Sequence, residues 1–164
     1  MANDLASPAV KDLGELCAAV EPDLAAFCRY LTGSEDSARD LFQDTWRRAL
    51  ERRASYGEDL SFKAWVFSIA RNLWIDRVRR AGAERRALKA RAGGLREERE
   101  VPDPLPLREA LARLPEEERE AFLLYHGHGL SLREAARVIG VTPWVVRERL
   151  GRAQEVLEKF LRID

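Results

Sequence analysis

The sequence predicts an all-α protein made of two small helical domains joined by a flexible charged linker. Three observations predict it. No segment alternates apolar and polar residues with β-branched enrichment, the pattern a half-buried strand requires. Apolar residues recur instead at intervals of three and four along most of the chain. The stretch ALKARAGGLREEREVPDPLP, residues 87–106, combines Gly93-Gly94, dense charge and three prolines, and such a composition builds no core. It divides the chain into a first domain, 1–86, a linker, 87–104, and a second domain, 105–164.

The elements follow in order. Leu13 to Leu31 carries apolar residues at helical spacing, is expected to break or bend near Pro22, and stops at Thr32-Gly33. Ser34 is a good N-cap for a second helix in which Ala38, Leu41, Phe42, Thr45, Trp46, Ala49 and Leu50 repeat at intervals of three and four. Tyr56-Gly57-Glu58-Asp59 reads as a loop, and Ser61 caps a third helix from Phe62 to about Arg80. Beyond the linker, Leu107 to Leu114 is a short helix stopped by Pro115, Glu116 to Tyr125 is another, and His126-Gly127-His128-Gly129 is a turn. Ser131 caps SLREAARVI, Gly140 supplies the positive φ that ends it, and Thr142 with Pro143 caps and begins the last helix.

Composition narrows the function classes. With 164 residues, 46% hydrophobic and 34% charged, the chain can bury compact cores. No uncharged apolar run is long enough to span a bilayer, and MANDLASPAV lacks the basic-then-apolar layout of a signal peptide, so a cytoplasmic protein is expected. Cys17 and Cys28 are too few for a disulfide framework; they read as reduced packing residues, with a redox pair or half of a metal site as the alternative. His126 and His128 flank a turn glycine and read as exposed turn residues, with a regulatory metal site as the alternative. No third ligand and no nucleophile and base constellation lies at a recognisable spacing, so neither a metal, a cofactor nor an enzymatic activity is expected.

The zero net charge conceals an uneven distribution. Residues 1–60 hold 7 basic and 12 acidic residues, 61–99 hold 11 and 4, and 100–164 hold 10 and 12. A basic middle between acidic ends suits a polyanion on one face and basic protein partners on another; a solvated basic linker is the simpler alternative.

Two helices joined by a short turn containing Gly140 describe a helix-turn-helix, whose second helix enters the major groove. In VTPWVVRERLGRAQ, residues 141–154, and the turns beyond it, Val146, Leu150, Ala153, Leu157 and Phe160 share one stripe that faces the core. Trp144, Glu148 and Gly151 lie opposite, flanked by Arg147 and Arg152. Arginine grips guanine or phosphate through two points, although any amphipathic helix turns its charges outward. The third helix is apolar on most of its circumference: Phe62, Val66, Ile69 and Leu73 form one stripe, and Phe67, Trp74 and Val78 lie nearly opposite. Its narrow polar edge, Ser68, Asn72, Asp76 and Arg79, leads into RVRRAGAERR. That edge is either a track for a nucleic-acid strand, with Tyr56, Phe62 and Trp65 as stacking surfaces, or a solvent edge on which Asp76 pairs with Arg79 or Arg80.

DLFQDTW, then FKAWVFSIARNLWIDRVRR, a charged linker, LPEEEREAF and LSLREAARVIGVTPWVVRERLGRAQ, in that order and spacing, resemble the sigma factors of bacterial RNA polymerase, specifically the short extracytoplasmic-function (ECF) group. The resemblance runs from about residue 10 to 161. It implies that the first domain is sigma region 2, which binds core polymerase and melts the minus-ten element, and that the second is region 4, which reads the minus-thirty-five element. It implies that Asp40, Leu41, Gln43, Asp44 and Trp46 dock on the polymerase clamp, and that the loop Ala54 to Ser61, Tyr56 included, receives a flipped minus-ten base. Trp65, Asn72, Asp76, Arg79 and Arg80 would then hold the opened strand, and Ser131, Thr142, Trp144, Arg147, Glu148, Arg149 and Arg152 would serve the minus-thirty-five element. The implied partners are core polymerase, promoter DNA and an anti-sigma factor, with no membrane insertion. The sequence departs from the family at Trp144, Val145 and Glu148, where small or hydroxylated residues are usual, and at Gln154, where a basic one is. The competing readings are a helix-turn-helix regulator that acts without core polymerase and an anti-sigma-like interaction module.

Overall fold

A computed structural model of the chain describes residues 10–57, 59–89 and 106–161, and the regular structure among them is all helical. Glu58 of the expected loop, and Gly93-Gly94 with most of the expected linker, lie outside the described residues.

Helix α1, Val10–Thr32, is a single helix with Pro22 inside it, not a broken one. The missing Pro22 N–H leaves the Ala18 carbonyl without its helical donor; Ala18 and Pro22 are both exposed, so water can serve that carbonyl. Helix α2, Glu35–Glu51, begins at Ser34, whose hydroxyl accepts from the Ser37 N–H at 3.2 Å. The Ser61 hydroxyl likewise accepts from the Ala64 N–H at 3.2 Å and starts α3, Phe62–Lys89. Helix α3 outruns its expected end near Arg80 by about two turns, because AGAERRALK offers strong helix formers and no proline.

Leu24, Phe27, Cys28 and Leu31 of α1, Ala38 and Leu41 of α2, and Phe62, Val66, Phe67 and Ala70 of α3 form the N-terminal core. Phe27 and Phe67 stack at 4.5 Å, and each buried ring contributes about 1.5–3 kcal/mol by its removal from water. The buried Thr45 hydroxyl donates to the Leu41 carbonyl at 2.7 Å and so is not orphaned. Cys28 is enclosed, and burial pushes its thiol up to about 12 against the opposing pull of Arg77 and Arg29; burial also raises Cys17. Both cysteines are free thiols, and Cys28 behaves as a packing residue.

In the C-terminal half, α4 is Pro106–Ala112 and α5 is Glu116–Phe122. Arg119 donates to the carbonyls of Leu111, Ala112 and Leu114, which closes the end of α4 with the charge that end favours. A wide π turn, Leu123–Gly127, then carries the chain to Gly129, which sits at φ 69°. Helix α6, Leu132–Ile139, starts in a complete capping box between Ser131 and Glu134 and ends on Gly140 at φ 83°. Helix α7, Pro143–Leu161, buries the expected stripe: Val146 and Ala153 are enclosed, Leu157 is nearly so, and Leu150 and Phe160 are partly covered.

The two expected domains pack against each other. One continuous cluster of buried side chains runs from α1 to Val146 of α7, with a smaller one of Ala110, Leu114, Ala153 and Leu157 beside it. The reason is the all-round apolar surface of α3. One side packs on α1 and α2, while Lys63, Phe67 and Arg71 meet the C-terminal half. The Arg71 guanidinium forms a two-point bond to Glu120, at 2.6 and 3.1 Å, and donates to the Ile139 carbonyl at 3.0 Å. Lys63 donates to the His128 carbonyl at 3.1 Å and pairs with Asp23. His128 is therefore not an exposed turn residue: its ring, 12% exposed, sits against Phe27 and Phe67, while His126 stays exposed beside Phe122 and Tyr125.

Candidate nucleic-acid and polymerase interfaces

The DLFQDTW block divides by its position on α2. Asp40 and Gln43 are exposed on the outer face. Leu41 is 0% exposed and belongs to the core, so its side chain offers nothing to a partner. Trp46 is half-buried, with its ring stacked against Phe62 at 6.4 Å and edge-on to Phe42 at 6.0 Å. Asp44 serves both sides: it is half-exposed, pairs with Arg47 at 3.3 Å, and accepts from Arg77 of α3. Reversal of Asp44 therefore breaks a tie between helices.

The second surface surrounds the start of α3. Tyr56 lies 5.6 Å from Phe62 and 5.2 Å from Trp65 between ring centroids, and its hydroxyl donates to the Leu60 carbonyl at 3.3 Å. Tyr56 and Trp65 are half-buried, so each keeps part of a ring at the surface, whereas Phe62 is enclosed beneath them. From Trp65 the polar edge runs along one side of α3 through Ser68, Asn72, Asp76 and Arg79, opposite the side that packs on the C-terminal half. Ser68 turns inward to the Ala64 carbonyl, while Asn72, Asp76, Arg79 and Arg80 are exposed. Among the described residues no ion pair joins Asp76 to Arg79 or Arg80. Ser61, besides capping α3, donates its N–H to Glu134 of α6 at 3.0 Å.

The third surface is the helix-turn-helix. Thr142 accepts weakly from the Val145 N–H at 3.5 Å and opens α7. Trp144 is 64% exposed, and Arg147 and Glu148 are exposed with it. The other two arginines are engaged. Arg149 is only 11% exposed and bonds Glu117 of α5 at 2.8 Å; Arg152 bonds Glu118 at 2.8 Å and lies 3.8 Å from Glu148. Arg149 is thus a tie between α5 and α7, whereas Arg152, though paired, stays half-exposed and Arg147 is exposed without a partner among the described residues. Sequence reasoning missed two exposed cations, Arg133 and Arg137 of α6, which line a cleft with Asp59, Leu60, Val141 and Pro143. The signal was their spacing of four opposite the buried Ala135, Val138 and Ile139.

Two family models match the chain: Sigma-70 region 2 over residues 16–84 and Sigma-70, region 4 over residues 105–155. The ECF RNA polymerase sigma factor EcfG of Rhodopseudomonas palustris is 32% identical over 165 residues, covering 96% of this chain and 89% of that protein. The chain belongs to the ECF group of the sigma-70 family. In sigma terms α1–α3 form region 2 and α4–α7 region 4. Among solved structures, a sigma factor RpoE of Bartonella quintana in complex with the anti-sigma factor NepR is 30% identical, with a TM-score of 0.76 and coverage of 94% of this chain and 99% of that one. CnrH in complex with the cytosolic domain of CnrY is likewise 30% identical, with a TM-score of 0.66 and coverage of 96% and 92%. Among the described residues no helix is long and apolar enough to cross a membrane.

Proposed function

We propose that this sigma factor directs core RNA polymerase to specific promoters and starts transcription there, as a binding subunit in the cytoplasm and not as a catalyst. Residues 1–86 would engage core polymerase through Asp40, Gln43 and Asp44, with Leu41 and Trp46 holding that surface in shape. The same domain would melt the minus-ten element, residues 87–104 would link, and 105–164 would read the minus-thirty-five element. An anti-sigma factor is the third partner, a reading supported by the anti-sigma complexes of the two solved relatives.

One observation carries the melting role: an exposed, unpaired row of Asn72, Asp76, Arg79 and Arg80 leads away from the half-exposed rings of Tyr56 and Trp65. Unstacking a base costs a few kcal/mol, and an aromatic platform beside cationic groups offsets that cost by stacking and by attraction to phosphate. At the other end, Trp144 meets a thymine methyl, Arg147 takes guanine or phosphate, and Arg133 and Arg137 grip the backbone. The test is initiation in vitro. The purified chain added to bacterial core polymerase is expected to give transcripts with discrete start sites from a genomic template. A protein that binds DNA yet leaves core polymerase without discrete starts would be an ordinary helix-turn-helix regulator.

A further inference from the structure

Glu148 and Gly151 stand on the exposed side of α7, and the packing of the helix accounts for neither. The Glu148 carboxylate lies 3.8 Å from Nη1 of Arg152 and accepts no hydrogen bond among the described residues. Pairs of this kind, one turn apart on an exposed helix, are common and weak. Arg152, however, has a nearer partner: its Nε donates at 2.8 Å to Glu118 of α5, whose side chain is only 12% exposed. The guanidinium is thus fixed from below and turns another edge toward Glu148. Charge holds the Glu148 carboxylate in place while its oxygens stay open to a donor outside the chain.

Gly151 sits mid-helix without a positive φ, and a Cβ there would meet nothing within 4 Å. Alanine would fit the chain and favour the helix, because glycine gives up more backbone freedom on folding. No turn and no internal contact asks for glycine, so the room left by the missing side chain opens only outward. By its spacing Gly151 shares the face of Trp144 and Glu148, the face that a helix-turn-helix lays in the major groove.

An ionised carboxylate accepts hydrogen bonds and donates none. On the major-groove edges of the bases only the amino groups of cytosine and adenine donate. Guanine and thymine set a carbonyl oxygen in that place, and adenine sets its N7 acceptor beside its amino group, so each repels a carboxylate that cytosine admits. The phosphates repel it too, and the guanidinium of Arg152 beside it offsets that repulsion. We propose that Glu148 is the base-selecting residue of α7 and takes the amino group of a cytosine in the minus-thirty-five element. Arg152 and Glu118 are the positioning residues behind it, and Gly151 lets the sugar–phosphate strand close on the helix backbone. This assignment rests on the promoter-binding reading given above and adds to it a base and the residue that selects it.

Selection from a pool of duplex promoters, randomised over the minus-thirty-five element and bound by core polymerase carrying the full-length chain, tests it. The wild type is expected to enrich a motif with cytosine favoured about tenfold at one position. Glu148→Gln should turn that one position to adenine, whose amino group and N7 a side-chain amide reads together, and leave the others unchanged. Glu118→Ala should flatten the cytosine preference without moving it, and Glu118→Gln, which still accepts from Arg152, should restore it. A merely structural loss would weaken every sequence alike. Gly151→Ala is expected to raise Tm by about 2–4 °C while it weakens binding of the selected promoter about tenfold. A Glu148→Gln protein that selects the wild-type motif would overturn the base assignment. An undiminished preference in Glu118→Ala would overturn the positioning pair, and wild-type affinity in Gly151→Ala would overturn the close approach. In each of these cases the motif selected by the wild type still stands for promoter reading; a wild type that enriches no motif would instead remove that reading and this assignment with it.

Discussion

Replacing Arg149 by alanine separates the DNA-reading account of α7 from the packing account. Its guanidinium is nearly enclosed and bonds Glu117 at 2.8 Å, but that carboxylate is largely exposed. A charge-assisted bond of this kind contributes about 1.5–3 kcal/mol when both groups are shielded and under about 1 kcal/mol when both are solvated. One shielded partner places the pair between these limits, and the apolar stem adds packing against α5. The expected loss is about 1–2 kcal/mol, which lowers Tm by roughly 3–6 °C in a chain of this size. Because so little of the side chain reaches solvent, the slope of log affinity against log salt for duplex DNA should hardly change. Arg147→Ala is the control: an exposed arginine whose loss leaves Tm within about 1 °C but flattens that slope by about one phosphate contact. Thermal melts and anisotropy titrations at several salt concentrations measure both quantities. An Arg149→Ala protein that melts like wild type and loses DNA affinity as Arg147→Ala does would refute the assignment of Arg149 to structure.

Trp144→Ala is expected to weaken minus-thirty-five binding by about 1–3 kcal/mol with little change in Tm; normal binding with a lowered Tm would make the ring a packing residue. Asp44→Arg should reduce core-polymerase affinity and also cost about 1 kcal/mol of stability, because Arg77 loses its partner; an unchanged melt would show the α2–α3 tie to be idle. Asn72→Ala and Arg79→Ala should impair transcription from a duplex promoter more than from a premelted bubble, and equal loss on both templates would point to folding or polymerase binding. Acidification should destabilise the docked form in two stages. Burial lowers the His128 pKa despite the opposing Asp23 carboxylate, so the stability held by the neutral ring is complete above its ordinary value of 6.5 and is lost as pH falls below that. At Glu134 burial raises the pKa, but hydrogen bonds from Ser61 and Ser131 outweigh it and bring it below the ordinary 4.5. The Glu134 contribution is therefore present above pH 4.5 and lost on further acidification. Melts recorded across pH check both stages, and His128→Phe should abolish the upper one.

The local structure of this chain was legible because it depends on near neighbours. Ser34, Ser61 and Ser131 cap helices through N–H groups three residues on, Gly140 takes the left-handed backbone its turn requires, and the Val146 stripe follows from the helical period. The exposed edge of Asn72, Asp76 and Arg79 could likewise be placed from spacing alone. Structural ties stayed hidden where a side chain finds its partner far along the chain. Nothing near Arg149, Asp44 or His128 in sequence announces Glu117, Arg77 or Phe67, and each such partner turns an apparently free group into a structural one. The all-round apolar surface of α3 showed that something must cover its second side. That the cover is region 4, drawn onto the helix by Arg71 and Lys63, was decided only in the folded chain, because hydrophobic burial has no direction of its own and the choice of partner rests on polar bonds across long sequence separations.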